Sequence, residues 1–70
     1  MRTKAKQLKR LRWAAGMTQV ALAKASGVSQ QMISDVESGV SQPSPATLKA
    51  IADVLGCSPL DLLDDAEVAS

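Results

Sequence analysis

Four times along the 70-residue chain a glycine is followed, two to five positions later, by serine or threonine: Gly16 and Thr18, Gly27 and Ser29, Gly39 and Ser44, Gly56 and Ser58. Glycine just past a helix readily takes the left-handed conformation in which the last carbonyls find partners. Serine or threonine ahead of a helix accepts a hydrogen bond from one of its unpaired N–H groups. Each pair therefore reads as a stop followed by a start. Proline comes next after Ser44 and Ser58, as Pro45 and Pro59, at the first helical position, where its missing N–H costs nothing. Asp61 stands at the third position, as a capping-box acid does. The punctuation predicts five short helices: Lys4 to Ala15, Gln19 to Ala25, Gln30 to about Ser38, Pro45 to Leu55, and a last one from Pro59 to Leu63. "VSQPS" is a polar loop before the fourth, and no strand-like alternation, long linker or internal repeat is visible.

Helical periodicity supplies the buried faces. Leu8, Leu11 and Ala15 share one stripe, and Leu48, Ile51, Ala52 and Leu55 another. Leu22 faces inward on the second helix, where Ala21, Ala23 and Ala25 keep the element thin. Helices of two or three turns are marginal alone, so they must stabilise one another. Apolar residues make up 46% of the chain, yet Trp13 is the only aromatic. The core is therefore built from Leu, Ile, Val, Ala and Met. A chain of this length buries only about 60% of its unfolded surface. The expectation is a compact all-α, five-helix single domain over residues 1–70, with its core in 7–63 and an acidic tail, 64–70, that frays.

Charge is unevenly spread. Arg2, Lys4, Lys6, Lys9, Arg10, Arg12 and Lys24 give residues 1–24 a charge of +7, whereas Lys49 and seven acids leave the rest at −6. A basic end on a near-neutral chain suits a polyanion partner, although the sequence pI of 7.9 is below the ~9 of a strongly basic nucleic-acid binder. Cys57 is the sole cysteine, so no internal disulfide can form. No run approaches the ~20 apolar residues of a membrane span, and no apolar stretch follows the basic start as in a signal peptide. A cytoplasmic location is expected, with no membrane partner. The inventory argues against an enzyme: no His, no Tyr, no phosphate-cradling glycine loop with Lys, and no metal-ligand spacing. No cofactor, metal or small-molecule ligand is expected.

The second and third helices are joined by a short turn around Gly27, a helix-turn-helix arrangement, with Val28, Ile33 and Val36 directed into the core. At about 100° per residue, inward Ile33 and Val36 place Gln31, Asp35 and Ser38 nearly opposite, with Ser34 beside them. Gln30 sits at the exposed N-terminal end and Glu37 on the inward shoulder. A face built for solubility would use Lys and Glu. Glutamine instead can pair bidentately with adenine in the major groove.

"LKRLRWAAGMTQVALAKASGVSQQMISDVESG" followed by "PSPATLKAIADVLGCSPLDLL" resembles the helix-turn-helix domain of the Cro and lambda-type (XRE-like) repressors, over roughly residues 7 to 63. The resemblance implies sequence-specific binding to double-stranded DNA and transcriptional control. It places Gln30, Gln31, Ser34 and Asp35 at base-facing positions of the third helix. Arg12 and Gln19 fall at phosphate-contacting positions, with Thr18 and Ser29 at the helix starts and Ser41 and Gln42 in the loop. That loop lacks the Lys and Arg usual in relatives, which shifts backbone contact towards Lys9, Arg10 and their basic neighbours Lys4 and Lys6. Arg12 and Glu37 match a pair that forms a salt bridge. Cys57, Ser58, Pro59, Leu60 and Leu63 match a self-contact region, implying a homodimer on an inverted-repeat site. The alternative is a protein-interaction module or antitoxin-like adaptor on the same fold.

Some residues carry more than one reading. Asp35 repels phosphate; it either accepts from a cytosine amino group, disfavours other sequences, or is a bystander. Met32 packs at the core edge or touches a thymine methyl, with packing favoured. Trp13 covers the core edge or marks a partner surface, with covering favoured. Cys57 is expected to fill apolar space after Gly56.

Overall fold

Ser29 Oγ accepts a hydrogen bond from Met32 N, Ser44 Oγ from Thr47 N, and Thr18 Oγ1 from Ala21 N. These caps start three of the four α-helices among the described residues. In a computed structural model, which describes residues 3–63, α1 is Ala5–Ala14, α2 Gln19–Ser26, α3 Gln30–Glu37 and α4 Pro45–Leu55. Arg2 and the acidic tail lie outside the described residues. Gly27 closes α2 with φ 75° and donates its N–H to Ala23 O, and Gly56 closes α4 with φ 73°. Both use the left-handed conformation that glycine adopts without steric cost.

The fifth predicted α-helix is instead a four-residue 3-10 turn, Pro59–Leu62. Its start is as read from the sequence: Ser58 and Asp61 form a full capping box behind Pro59. What ends it early is Leu63, which is extended (φ −103°, ψ 147°) and pairs with Thr3 in an isolated antiparallel bridge. Lys4 N donates to Leu62 O at 2.7 Å. Leaving the helix lets neighbouring Leu62 and Leu63 both enter the core, 0% and 4% exposed.

Helix α1 also differs from its predicted stripe. Leu8 is fully buried and Leu11 half-buried, but Ala15 lies beyond the helix and is exposed. Arg12, one turn after Leu8, takes the inner position. The core is otherwise aliphatic: Leu8, Leu22, Ile33, Val36, Ile51 and Leu62 are the largest fully buried side chains. Burying each such side chain contributes about 1.5–3 kcal/mol. Helix α2 packs on α3 and α4, while α1 packs on α3 and the 3-10 turn. The result fixes α3 between α1 and α2 along one side and leaves its other side open.

Candidate nucleic-acid interface

Helix α3 is pinned from below by Ile33 and Val36, 0% and 1% exposed. Met32 and Val28 pack against the same cluster. Gln30 and Gln31 are exposed at the first turn, and Ser34 and Asp35 are half-buried one turn on. The Gln31 amide is held: its Nε2 donates to Asp35 Oδ1 at 2.9 Å. Asp35 is anchored through its own carbonyl, which accepts from Val40 N, Ser41 N and Ser38 Oγ. Thus Ser41 starts a loop folded back on the end of α3.

A buried ion pair sets the position of α3 against α1. Arg12 Nε donates to Glu37 Oε2 at 2.6 Å and Nη2 to Oε1 at 2.9 Å, the two-pronged geometry that suits guanidinium and carboxylate. The side chains are 7% and 4% exposed. Arg12 Nη1 also donates to Met17 O at 2.9 Å, and Gln19 Nε2 to Glu37 Oε1 at 3.3 Å. The bond to Glu37 raises the Arg12 pKa, against the opposing effect of burial. Burial pushes the Glu37 carboxyl up, but hydrogen bonds from Arg12 and Gln19 and the charges of Arg12 and Lys9 outweigh it, so its pKa lies below the ordinary value. One knot therefore ties α1, the start of α2 and the end of α3.

That knot engages two residues expected at phosphate contacts. Arg12 is buried, with one N–H of each guanidinium nitrogen engaged within the protein. The Gln19 side chain turns to Glu37, leaving the N-terminal backbone of α2, capped by the exposed Thr18, as the group facing solvent. Ser29 likewise caps α3. Gln42 has a structural role: its Oε1 accepts from Thr3 N at 2.8 Å, tying the chain start to the loop.

Lys9 and Arg10 are exposed on α1 and, with Lys6 and Trp13, line a shallow depression on its outer side. Trp13 is 67% exposed and does not cover the core edge. Its ring centroid lies 5.5 Å from the Arg12 guanidinium carbon, within cation–π range. Of the expected self-contact residues, Leu60 is 62% exposed, whereas Leu63 is a core residue and unavailable to a partner. Cys57 is half-buried against the core, and burial, aided by the Asp61 charge, pushes its thiol pKa up. Ser58 and Asp61 are occupied with each other.

The sequence profile of the helix-turn-helix family matches residues 8–62, from the buried Leu8 to the buried Leu62. The chain belongs to this family. It is a helix-turn-helix domain of the XRE, lambda-repressor-like type. Solved structures agree. The restriction-modification controller protein C.AhdI from Aeromonas hydrophila is 30% identical, covers 84% of this chain and 89% of its own, and superposes with a TM-score of 0.80. The biofilm master regulator SinR, solved in complex with DNA, is 30% identical over 86% of this chain and 97% of its own, with a TM-score of 0.82. A transcriptional regulator from Vibrio cholerae is 42% identical over 81% of this chain but only 32% of its own, with a TM-score of 0.75. No curated protein sequence matches the chain.

Within the helix-turn-helix frame, three features were not read from the sequence. The Gln31–Asp35 bond was signalled by its i, i+4 spacing. The burial of Arg12 was signalled by its place one turn after Leu8. The strap made by Thr3 and Gln42 had no local signal, since its partners are 39 residues apart. Among the described residues no group of His, Cys, Asp and Glu is arranged to hold a metal ion, and no helix is long and apolar enough to cross a membrane.

Proposed function

We propose that this helix-turn-helix domain is a sequence-specific regulator that lays α3 in the major groove of double-stranded DNA, where Gln30 and Gln31 read base edges. The observation that carries the reading is the division of labour on α3. Ser29 caps it, Ile33 and Val36 anchor it, and Glu37 locks it to Arg12, so neither exposed glutamine caps or anchors the helix, and the bond from Gln31 to Asp35 lies on its exposed side. Ser34 and Asp35 border that edge. The open N-termini of α2 and α3, behind Thr18 and Ser29, suit phosphate. Ser41, Lys9 and Arg10 extend the backbone contact.

One short recognition helix reads few base pairs, so the domain acts as a homodimer on an inverted repeat, repressing or otherwise regulating the adjacent gene. Exposed Leu60 anchors the self-contact, with Cys57, Ser58 and Pro59 around it. Selection of bound duplexes from a random pool tests this reading. An inverted repeat with half-sites about 10 bp apart, or a multiple of that spacing, is expected. Recovery of no common sequence would refute it. A second reading, a protein-docking module, is favoured by exposed Trp13 and Leu60. It predicts no retardation of any duplex even at low salt.

A further inference from the structure

We propose that Asp35 is a positioning residue that fixes the amide of Gln31 so that it accepts adenine and rejects guanine. The inference rests on α3 lying in the major groove as proposed above. A carboxylate only accepts hydrogen bonds, so the amide atom facing Asp35 Oδ1 at 2.9 Å must be Nε2. That chemistry settles which way round the amide stands. One of its two N–H groups is thereby used. The groups left for a base are the carbonyl Oε1 and the second N–H. Adenine offers a donor at N6 and an acceptor at N7, the complement of that edge, whereas guanine offers two acceptors, O6 and N7. Pairing Gln31 with guanine would need both N–H groups, one of which Asp35 holds.

Asp35 is itself well placed for this task. Its carbonyl is tied to Val40 N, Ser41 N and Ser38 Oγ, and it is half-buried, so its carboxylate is presented from a fixed stretch of backbone. The arrangement also accounts for an acid on a surface facing phosphates. Its repulsion weakens binding to every DNA, and its hydrogen bond sharpens the choice among them.

The test measures affinities of wild type, Gln31→Ala, Asp35→Ala and Asp35→Asn for duplexes. These are the site selected by wild type and the same site with one adenine per half-site replaced by guanine or by hypoxanthine. Hypoxanthine has guanine's major-groove edge without its minor-groove amino group. Gln31→Ala identifies which adenine Gln31 reads. At that position Asp35→Ala is expected to cut the preference for adenine roughly threefold or more, a substantial part of what a bidentate contact provides. Asp35→Asn keeps an acceptor oxygen and is expected to keep the preference. Both Asp35 variants should bind non-specific DNA more tightly, because a negative charge beside phosphates is gone.

An unchanged preference in Asp35→Ala overturns the proposal, as does an equal loss in Asp35→Ala and Asp35→Asn. Loss of a cytosine preference in both Asp35 variants would mean that Asp35 reads that base itself. If Gln31→Ala changes no base preference at any position, the major-groove reading of Gln31 fails, and this inference with it.

Discussion

Arg12 shows how one side chain decides the placement of an element. It is a long cation in a basic helix, the kind of residue read as solvent-facing, yet it is 6% exposed and paired with Glu37 through two bonds. A buried pair of this kind adds little net stability, because desolvating both charges offsets their attraction, but removing one partner strands the other. Arg12→Ala is therefore expected to destabilise the fold by about 3–5 kcal/mol, seen in thermal or denaturant melts. A double-mutant cycle with Glu37→Gln should show strong coupling; additive losses would remove the pair from the account. The same knot makes stability pH-dependent. The Glu37 pKa is lowered by folding from an ordinary value of 4.5. The stability it contributes is complete above that value and is lost as pH falls through its lower folded value. Denaturant melts should show Glu37→Gln losing less stability on acidification than wild type.

At the scale of elements, boundaries rest on caps and glycines. A Cβ on Gly27 would meet nothing within 4 Å, so the cost of Gly27→Ala is backbone strain alone at φ 75°. A loss of about 1–2 kcal/mol is expected, with no change in the DNA sequence preferred. The strap makes a different prediction. If Gln42 holds Thr3 and does not contact phosphate, Gln42→Ala should lower stability by about 1 kcal/mol and leave the salt dependence of DNA binding unchanged. These elements also show what the sequence could reveal. Cap and glycine signals are local, so all four α-helices were legible to within a residue or two. The 3-10 turn carries the same start signal as an α-helix; what shortens it is the bridge to Thr3, sixty residues away. The exposed face of α3 followed from periodicity. The pairing of Arg12 with Glu37 was implied by the family resemblance, whereas the inward turns of Gln19 and Leu63 were not, because each depends on a partner from another element.

For the whole molecule, the proposed reading divides the work between charge, which sets affinity, and the glutamine face of α3, which sets specificity. The loop after α3 has no basic residue, so in the proposed complex the phosphate contacts concentrate on α1 and the helix N-termini. Each neutralised phosphate adds about −0.9 to the slope of log affinity against log salt. Lys9→Ala with Arg10→Ala should flatten that slope and leave the selected sequence unchanged; an unaltered slope would take α1 off the DNA backbone. The central claim, that Gln30 and Gln31 read bases and do not hold the fold, is tested most directly by the specificity ratio. Affinity for the selected site is divided by affinity for a scrambled duplex, for wild type, Gln30→Ala and Gln31→Ala. Alanine is the better helix former, so melts of Gln30→Ala should match wild type, and the stability of Gln31→Ala should fall by no more than about 0.2–0.5 kcal/mol, the contribution of its exposed bond to Asp35. The ratio should fall by about 1–3 kcal/mol per half-site, while binding to scrambled DNA persists because it rests on phosphates. An unchanged ratio in both variants would contradict the account.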